Sequence, residues 1–184
     1  MVIDFHTHIF PDKIAGATIE ALSKSASITP HSDGTYDGLI SQMTSAGVDV
    51  SVNLPVLTRA SQLDSVMDFA RKINEKSHTG ARIISFAGIH PDTSEPEQAL
   101  ERIRDAGFLG IKLHPDYQGT FFDDEKYVRI LRCAKALDLI TVTHAGLDGA
   151  FVGQPIKCTP VRVLRVLDAL GGYEKLVLAH MGVN

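Results

Sequence analysis

Six short apolar runs punctuate the chain, each followed by a longer amphipathic stretch, and this alternation limits the fold more than any other feature. The runs are VIDF (2–5), VDVSVNL (48–54), RIISFAGI (82–89), FLGIKL (108–113), LITVTH (139–144) and KLVLAH (175–180). Each is rich in Val, Ile and Leu and is bounded by Gly, Pro, Asp or Ser, the pattern of a strand. Near-continuous apolarity marks strands covered on both faces, as in a parallel sheet flanked by helices. The stretches between them read as helices over Tyr36–Ala46, Gln62–Lys76, Pro96–Ala106, Asp123–Leu137 and Pro160–Leu170. Gly47, Gly107 and Gly171 end three of these, and Asp123, Asp124 and Glu125 suit a first helical turn. A weaker helical pattern covers Asp12–Ser25.

Two parallel α/β architectures fit the alternation, an open doubly wound sheet and a (β/α)8 TIM-type barrel. The open sheet would carry a Gly-rich phosphate loop after its first strand, and HTHIFPD stands there instead, so the barrel is favoured. The chain has 184 residues and 44% hydrophobic composition, enough for one core. A barrel usually needs ~250 residues. The expectation is therefore a single barrel domain over residues 1–184, C-terminally incomplete, with about six βα units and the last two lacking. The open edges of its first and last strands would offer a second copy a place to pair, as a homodimer.

Composition removes several function classes. The net charge is −4, and without a basic bias nucleic acid is not favoured as a partner. No apolar run approaches the ~18–20 residues that span a membrane. The opening MVIDFH lacks a signal-peptide pattern. Two cysteines, Cys133 and Cys158, make no disulfide framework and fit a reducing, cytoplasmic setting.

Six of the eight histidines fall at the C-terminal ends of the expected strands: His6, His8, His90, His114, His144 and His180. That is the end where parallel α/β folds build their sites. His31 and His78 sit in polar loops and have no assigned role. On the first strand, a period of two puts Val2, Asp4, His6 and His8 on one face. Ile3, Phe5 and Thr7 share the other, where they would pack under helices. His6 and His8 stand roughly 7 Å apart along the backbone. They can still converge on one ion with metal–nitrogen bonds of roughly 2.0–2.1 Å. An isolated H-x-H equally describes a packed, hydrogen-bonded pair. What favours a metal is recurrence, since TVTHAG and VLAHMG also close β-branched runs with histidine. Lys112, two residues before His114, shares its face.

Taken together, VIDFHTHIFPD, AGIHPD, GIKLHPDYQG, VTHAG and LVLAHMG resemble the amidohydrolase superfamily over essentially the whole chain. The likeness is to its branch of small TIM-barrel metal-dependent hydrolases and decarboxylases. The HPD and HPDYQG stretches are also similar to the neighbouring TatD-like deoxyribonucleases. The resemblance implies that His6 and His8 bind a divalent metal and that His144 is a further ligand. By the same resemblance, His180 binds a second metal or hydrogen-bonds the reactive water. The implied cofactor is zinc foremost, or manganese or iron, as one or two ions. Lys112 matches a lysine that can be carboxylated in binuclear members. An ion pair with Asp4, or a substrate-binding cation, are its other readings. His180 and Lys112 are the expected catalytic groups. His90 and His114 are expected to touch substrate at the mouth, and Asp4 to orient a ligand imidazole. Asp92 and Asp116 would cap turns. The family's strand-8 aspartate, a ligand and proton acceptor, has no counterpart in six units.

The expected function is a metal-dependent hydrolase activating water against a C–N or C–O bond of a small molecule: a cyclic amide, lactone or ester. Nonoxidative decarboxylation on the same scaffold is the first alternative. TatD-like phosphodiester hydrolysis is a second, disfavoured because Lys112 and His114 stand where that group carries a carboxylate. A non-catalytic fragment that binds metal or a partner is the last.

Overall fold

A computed structural model describes residues 1–76 and 80–182, so His78 lies outside the described residues. Among them, seven strands alternate with six α-helices. The order is β1 (Ile3–Thr7), α1 (Asp12–Ala26), α2 (Tyr36–Ala46), β2 (Val50–Asn53), α3 (Leu63–Glu75), β3 (Arg82–Ser85), β4 (Ala87–Gly88), α4 (Pro96–Asp105), β5 (Gly110–Leu113), α5 (Glu125–Ala136), β6 (Ile140–His144), α6 (Pro160–Leu170) and β7 (Leu176–Ala179). All pairings are parallel, β1-β2-β3 in one sheet and β4-β5-β6-β7 in the other. A doubly wound sheet reverses its strand order at a switch point. Here, within each sheet, every strand lies beside its predecessor, so the strands step one way, as in an incomplete barrel wall.

Local signals account for several helix ends. The Thr35 side chain accepts from the Gly38 N–H at 3.0 Å and opens α2, which Gly47 closes at φ 69°. Thr159 and Gly171 do the same for α6. α5 begins at Glu125, two residues later than expected. Asp124 is its N-cap, and Asp123 lies outside the helix, paired with Arg162 and Arg165 of α6.

The run RIISFAGI is not one strand. It breaks at Phe86, and its halves belong to different sheets. The break has a packing cause. Phe86 is buried with Val52, Leu54, Val142 and Ala179 in a cluster on the strands. Ser85 is held by the Asn74 side chain, which accepts from its N–H at 2.7 Å. The Phe86 ring also lies against Gly110, where an added Cβ would come within 2.3 Å of the Ile140 carbonyl oxygen. Only glycine lets β5 come this close to β6.

β1 also departs from the simple alternation. Asp4 pairs with Ser51 and Thr7 with Asn53, so β1 spends one residue more than β2 over the same span. Such a bulge re-aims side chains. The expected packing of Ile3 and Phe5 under helices is not found: they are 48% and 40% exposed. Phe5 instead meets Phe86 edge-on at 5.9 Å. The main core lies between β4–β7 and α4–α6 and includes Ile89, Leu100, Ile103, Ile111, Leu131 and Val166. A second cluster joins α2 and α3 to β3 through Ile40, Met43, Ile73 and Ile83. No helix among the described residues is long and apolar enough to cross a membrane.

Candidate metal centre

The strands deliver their histidines to one end. His6 lies near the end of β1 and His8 just beyond it; His114 follows β5, His144 closes β6, and His180 follows β7. The segment after β1 is anchored from the neighbouring strand. The Asn53 side chain accepts from the Ile9 N–H at 3.0 Å and donates to Ser85 Oγ at 2.8 Å. Thr7 Oγ1 donates to the Val52 carbonyl at 2.9 Å.

His6 Nε2 and His8 Nε2 stand 3.1 Å apart. Two ligands of one ion, with bonds of roughly 2.1 Å, sit about 3.4 Å apart in a tetrahedral site. The spacing is thus close to that of two donors to a shared cation. Burial, then the charge of Lys112, pushes the His6 pKa down to about 2 and that of His8 to about 3. Both rings are neutral at pH 7, the state that coordinates metal.

Lys112 is fully buried, and its Nζ lies 3.1 Å from His6 Nε2. Desolvation pushes its pKa down to about 7, with no carboxylate to oppose it. The expected alternative of an ion pair with Asp4 is not found. Asp4 is exposed, and its carboxylate accepts from the His6 backbone N–H at 3.1 Å. That contact steadies the chain at His6, but it is not the expected hold on an imidazole ring.

His180 stands with its ring 4.8 Å from His6 and 5.0 Å from His144, open to solvent. Its backbone is left-handed, φ 58°, as is that of Met181 at 53°. Non-glycine residues adopt this region at a cost, and it turns the chain sharply as it leaves β7. Burial and the charge of Lys112 hold the His180 ring below the ordinary histidine pKa.

His144 is buried, and its Nε2 is shut from solvent without a hydrogen-bond partner. Buried polar atoms normally find partners. An orphaned, neutral imidazole nitrogen at a strand end is what a metal site leaves when seen without its ion. Burial, then His114, pushes its pKa down to about 4. His114 stacks on it at 4.3 Å and 10°. Its Nε2 lies 3.3 Å from Asp148 Oδ2, and Asp148 Oδ2 is 4.0 Å from His144 Nε2. Asp148 has no place among the residues expected from sequence. The only local hint is an acid four residues after a strand-end histidine, in HAGLD.

His90 is buried and engaged by its own loop, its Nδ1 accepting from the Asp92 N–H at 3.1 Å. Asp92 is exposed and paired with Lys126, whereas Asp116 is buried with Oδ2 unpartnered. A second residue missed from sequence is Gln118. Its amide donates to the Leu57 and Ile89 carbonyls at 2.9 and 2.7 Å. Its carbonyl accepts from the His114 N–H at 2.9 Å and the Tyr127 hydroxyl at 2.6 Å. One buried side chain thereby ties three mouth loops to α5. Gln118→Ala is expected to cost on the order of 3 kcal/mol in urea unfolding, because several buried groups lose their partner together.

The sequence model of the amidohydrolase family matches residues 3–184. No curated protein matches the chain. Among solved structures, Metarhizium anisopliae IDCase is similar over 99% of this chain and 65% of its own, at 20% identity and a TM-score of 0.68. The 5-carboxyvanillate decarboxylase of Sphingomonas paucimobilis is similar over 98% and 68%, at 16% identity and a TM-score of 0.62. That of Novosphingobium aromaticivorans, with bound manganese, is similar over 84% and 53%, at 15% identity and a TM-score of 0.60. At these identities the likeness is one of fold, and the chain spans between about half and two thirds of their lengths.

Proposed function

Because the chain belongs to the amidohydrolase family, we propose that it is a metal-dependent hydrolase of a C–N or C–O bond in a small cyclic amide, lactone or ester. What carries this reading is the placement of His180, a neutral imidazole open to solvent between His6 and His144. His6, His8 and His144 would hold the divalent ion. The converging Nε2 pair and the orphaned His144 nitrogen fit that group. Imidazole donors suit zinc, with iron as a second choice, and manganese is the ion of the Novosphingobium neighbour. A bound ion would supply a Lewis acid and lower the pKa of a water.

The chain's own groups divide the remaining work. His180, neutral and reachable, accepts a proton from water at a ring nitrogen and returns it to the leaving atom. Lys112, free of a carboxylate partner, can release its proton near pH 7 and acts on the site through His6, whose Nε2 lies 3.1 Å from Nζ. His90 and His114 have no free role in proton transfer, since backbone N–H groups or Asp148 engage them.

Decarboxylation is the second reading. Tyr117 sets its ring 4.7 Å from His114, and Phe151 meets Tyr117 edge-on at 5.0 Å, a flank suited to a planar aromatic acid. The neighbours named as 5-carboxyvanillate decarboxylases support the same chemistry. One assay separates the two. The metal-loaded chain is incubated in heavy-oxygen water with cyclic amides, lactones, esters and aromatic carboxylic acids. Product carrying heavy oxygen supports hydrolysis. Carbon dioxide release with an unlabelled ring product overturns it in favour of decarboxylation.

A further inference from the structure

We propose that Asp148 is a carboxylate ligand of the metal centre, joining His144 at the ion, with His114 as the outer partner that orients it. This rests on the metal-dependent reading above and adds a donor to it from the loop that follows β6.

Three donor atoms, one each from His114, His144 and Asp148, lie within 4.8 Å of one another. They do not all point to one place. The His114 and His144 rings are stacked at 4.3 Å with their planes 10° apart. An imidazole donates through a lone pair in its ring plane. Lone pairs in two nearly parallel, stacked planes do not meet at one ion, so His114 and His144 are not co-ligands.

The hydrogen bonds say which ring is free. His114 is engaged on both nitrogens, Nδ1 with the Tyr117 N–H at 3.5 Å and Nε2 with Asp148 Oδ2 at 3.3 Å. Since Nδ1 faces a donor, Nε2 carries the ring proton and donates it to the carboxylate. His144 Nε2 is engaged by nothing and is closed to solvent. It faces Asp148 Oδ2 at 4.0 Å, too far for a direct hydrogen bond. Two donors bonded to one ion at roughly 2.0–2.2 Å each can be up to about 4.4 Å apart. The gap lies between the roughly 3.4 Å of neighbouring donors in a tetrahedral site and that limit, so a cation between the two atoms needs only a small approach of the carboxylate toward His144.

Asp148 is built for this position. Its side chain is 13% exposed, and it accepts from the Ala150 N–H at 2.7 Å as well as from His114. A carboxylate accepting from two N–H donors is held ionised and aimed. Ligating carboxylates are themselves hydrogen-bonded by outer partners, and His114 fills that place for Asp148.

Cobalt(II) alone is the probe. Its affinity is read by chelator competition and its ligand field by visible absorption, for the parent chain, Asp148→Ala, Asp148→Asn and His114→Gln, each checked for folding by circular dichroism. Loss of an outer partner costs roughly 10–100-fold in affinity. Both Asp148 variants are expected to lose more than about 100-fold and to change the visible spectrum. His114→Gln is expected to lose less and keep the parent's spectrum. An Asp148→Asn or Asp148→Ala chain that binds cobalt with the parent's spectrum, or no more weakly than His114→Gln, overturns the assignment and leaves the metal-dependent reading intact. A parent chain that binds no cobalt overturns that reading, and this one with it.

Discussion

Replacing His6 and His8 together with alanine is expected to strip the chain of divalent metal. Elemental analysis after extensive dialysis should find close to one equivalent of zinc, manganese or iron in the parent and background in the double variant. Complete protein zinc sites are worth about 10–16 kcal/mol, so losing two donors should weaken binding by at least a thousandfold, about 4 kcal/mol. The double variant should still fold. His6 and His8 keep accessible surface, and the bonds that anchor their segment come from Thr7, Ile9 and Asn53. Metal retained at the parent's level would sink the ligand assignment.

The same substitution should change the response of the metal-free chain to acid. The folded-state pKa values of His6, His8 and His144 are pushed down to about 2, 3 and 4, against 6.5 for a free imidazole. Below pH 6.5 the unfolded chain takes up protons that the folded chain refuses, so stability falls as pH drops through this window. Removing two of the three rings should make the loss between pH 7 and pH 5 shallower. Urea midpoints at the two pH values measure it, and an equal loss in both proteins would contradict the depressed values.

The second large effect lies at Lys112. Burial without a carboxylate pushes its pKa from 10.5 down to about 7. In the unfolded chain it holds its proton up to about pH 10.5. The stability it contributes is complete above that value and is lost as pH falls toward 7. At pH 8 the deficit is about 3 kcal/mol. Lys112→Met, which fills a similar volume without a charge, is expected to raise stability by on the order of 2–3 kcal/mol at pH 8. The gain should shrink toward zero near pH 10.5. Activity should fall at least about 100-fold, because Nζ no longer stands beside His6. A variant that is stabilised equally at every pH would show that packing, not the buried amine, is responsible. A variant that keeps full activity would remove Lys112 from the catalytic groups.

Where the sequence reading succeeded, the signals were local. α2 and α6 have the bounds read from sequence because a threonine cap and a glycine stop lie within one turn of each end. The six strand-end histidines were legible because short apolar runs closed or followed by histidine recur along the chain. Where it fell short, the deciding partner was distant. Asp123 left the first turn of α5 for Arg162 and Arg165, about 40 residues on. The break at Phe86 follows from residues on strands far apart in sequence. Asp4 shows the same limit, since sharing a face with His6 says nothing about which atom it bonds.

By itself, then, the sequence determined the parallel α/β class, the succession of most strands and helices along the chain and the end of the strands where the histidines gather. Those follow from hydrophobic period and chain direction, which are properties of each segment alone. Only the tertiary structure decided which nitrogens face one another, that Lys112 stands beside His6 rather than Asp4, that Gln118 ties the mouth together, and that Asp148 joins the site. Each of those depends on a bond between segments, and its strength comes from water excluded only when the segments pack.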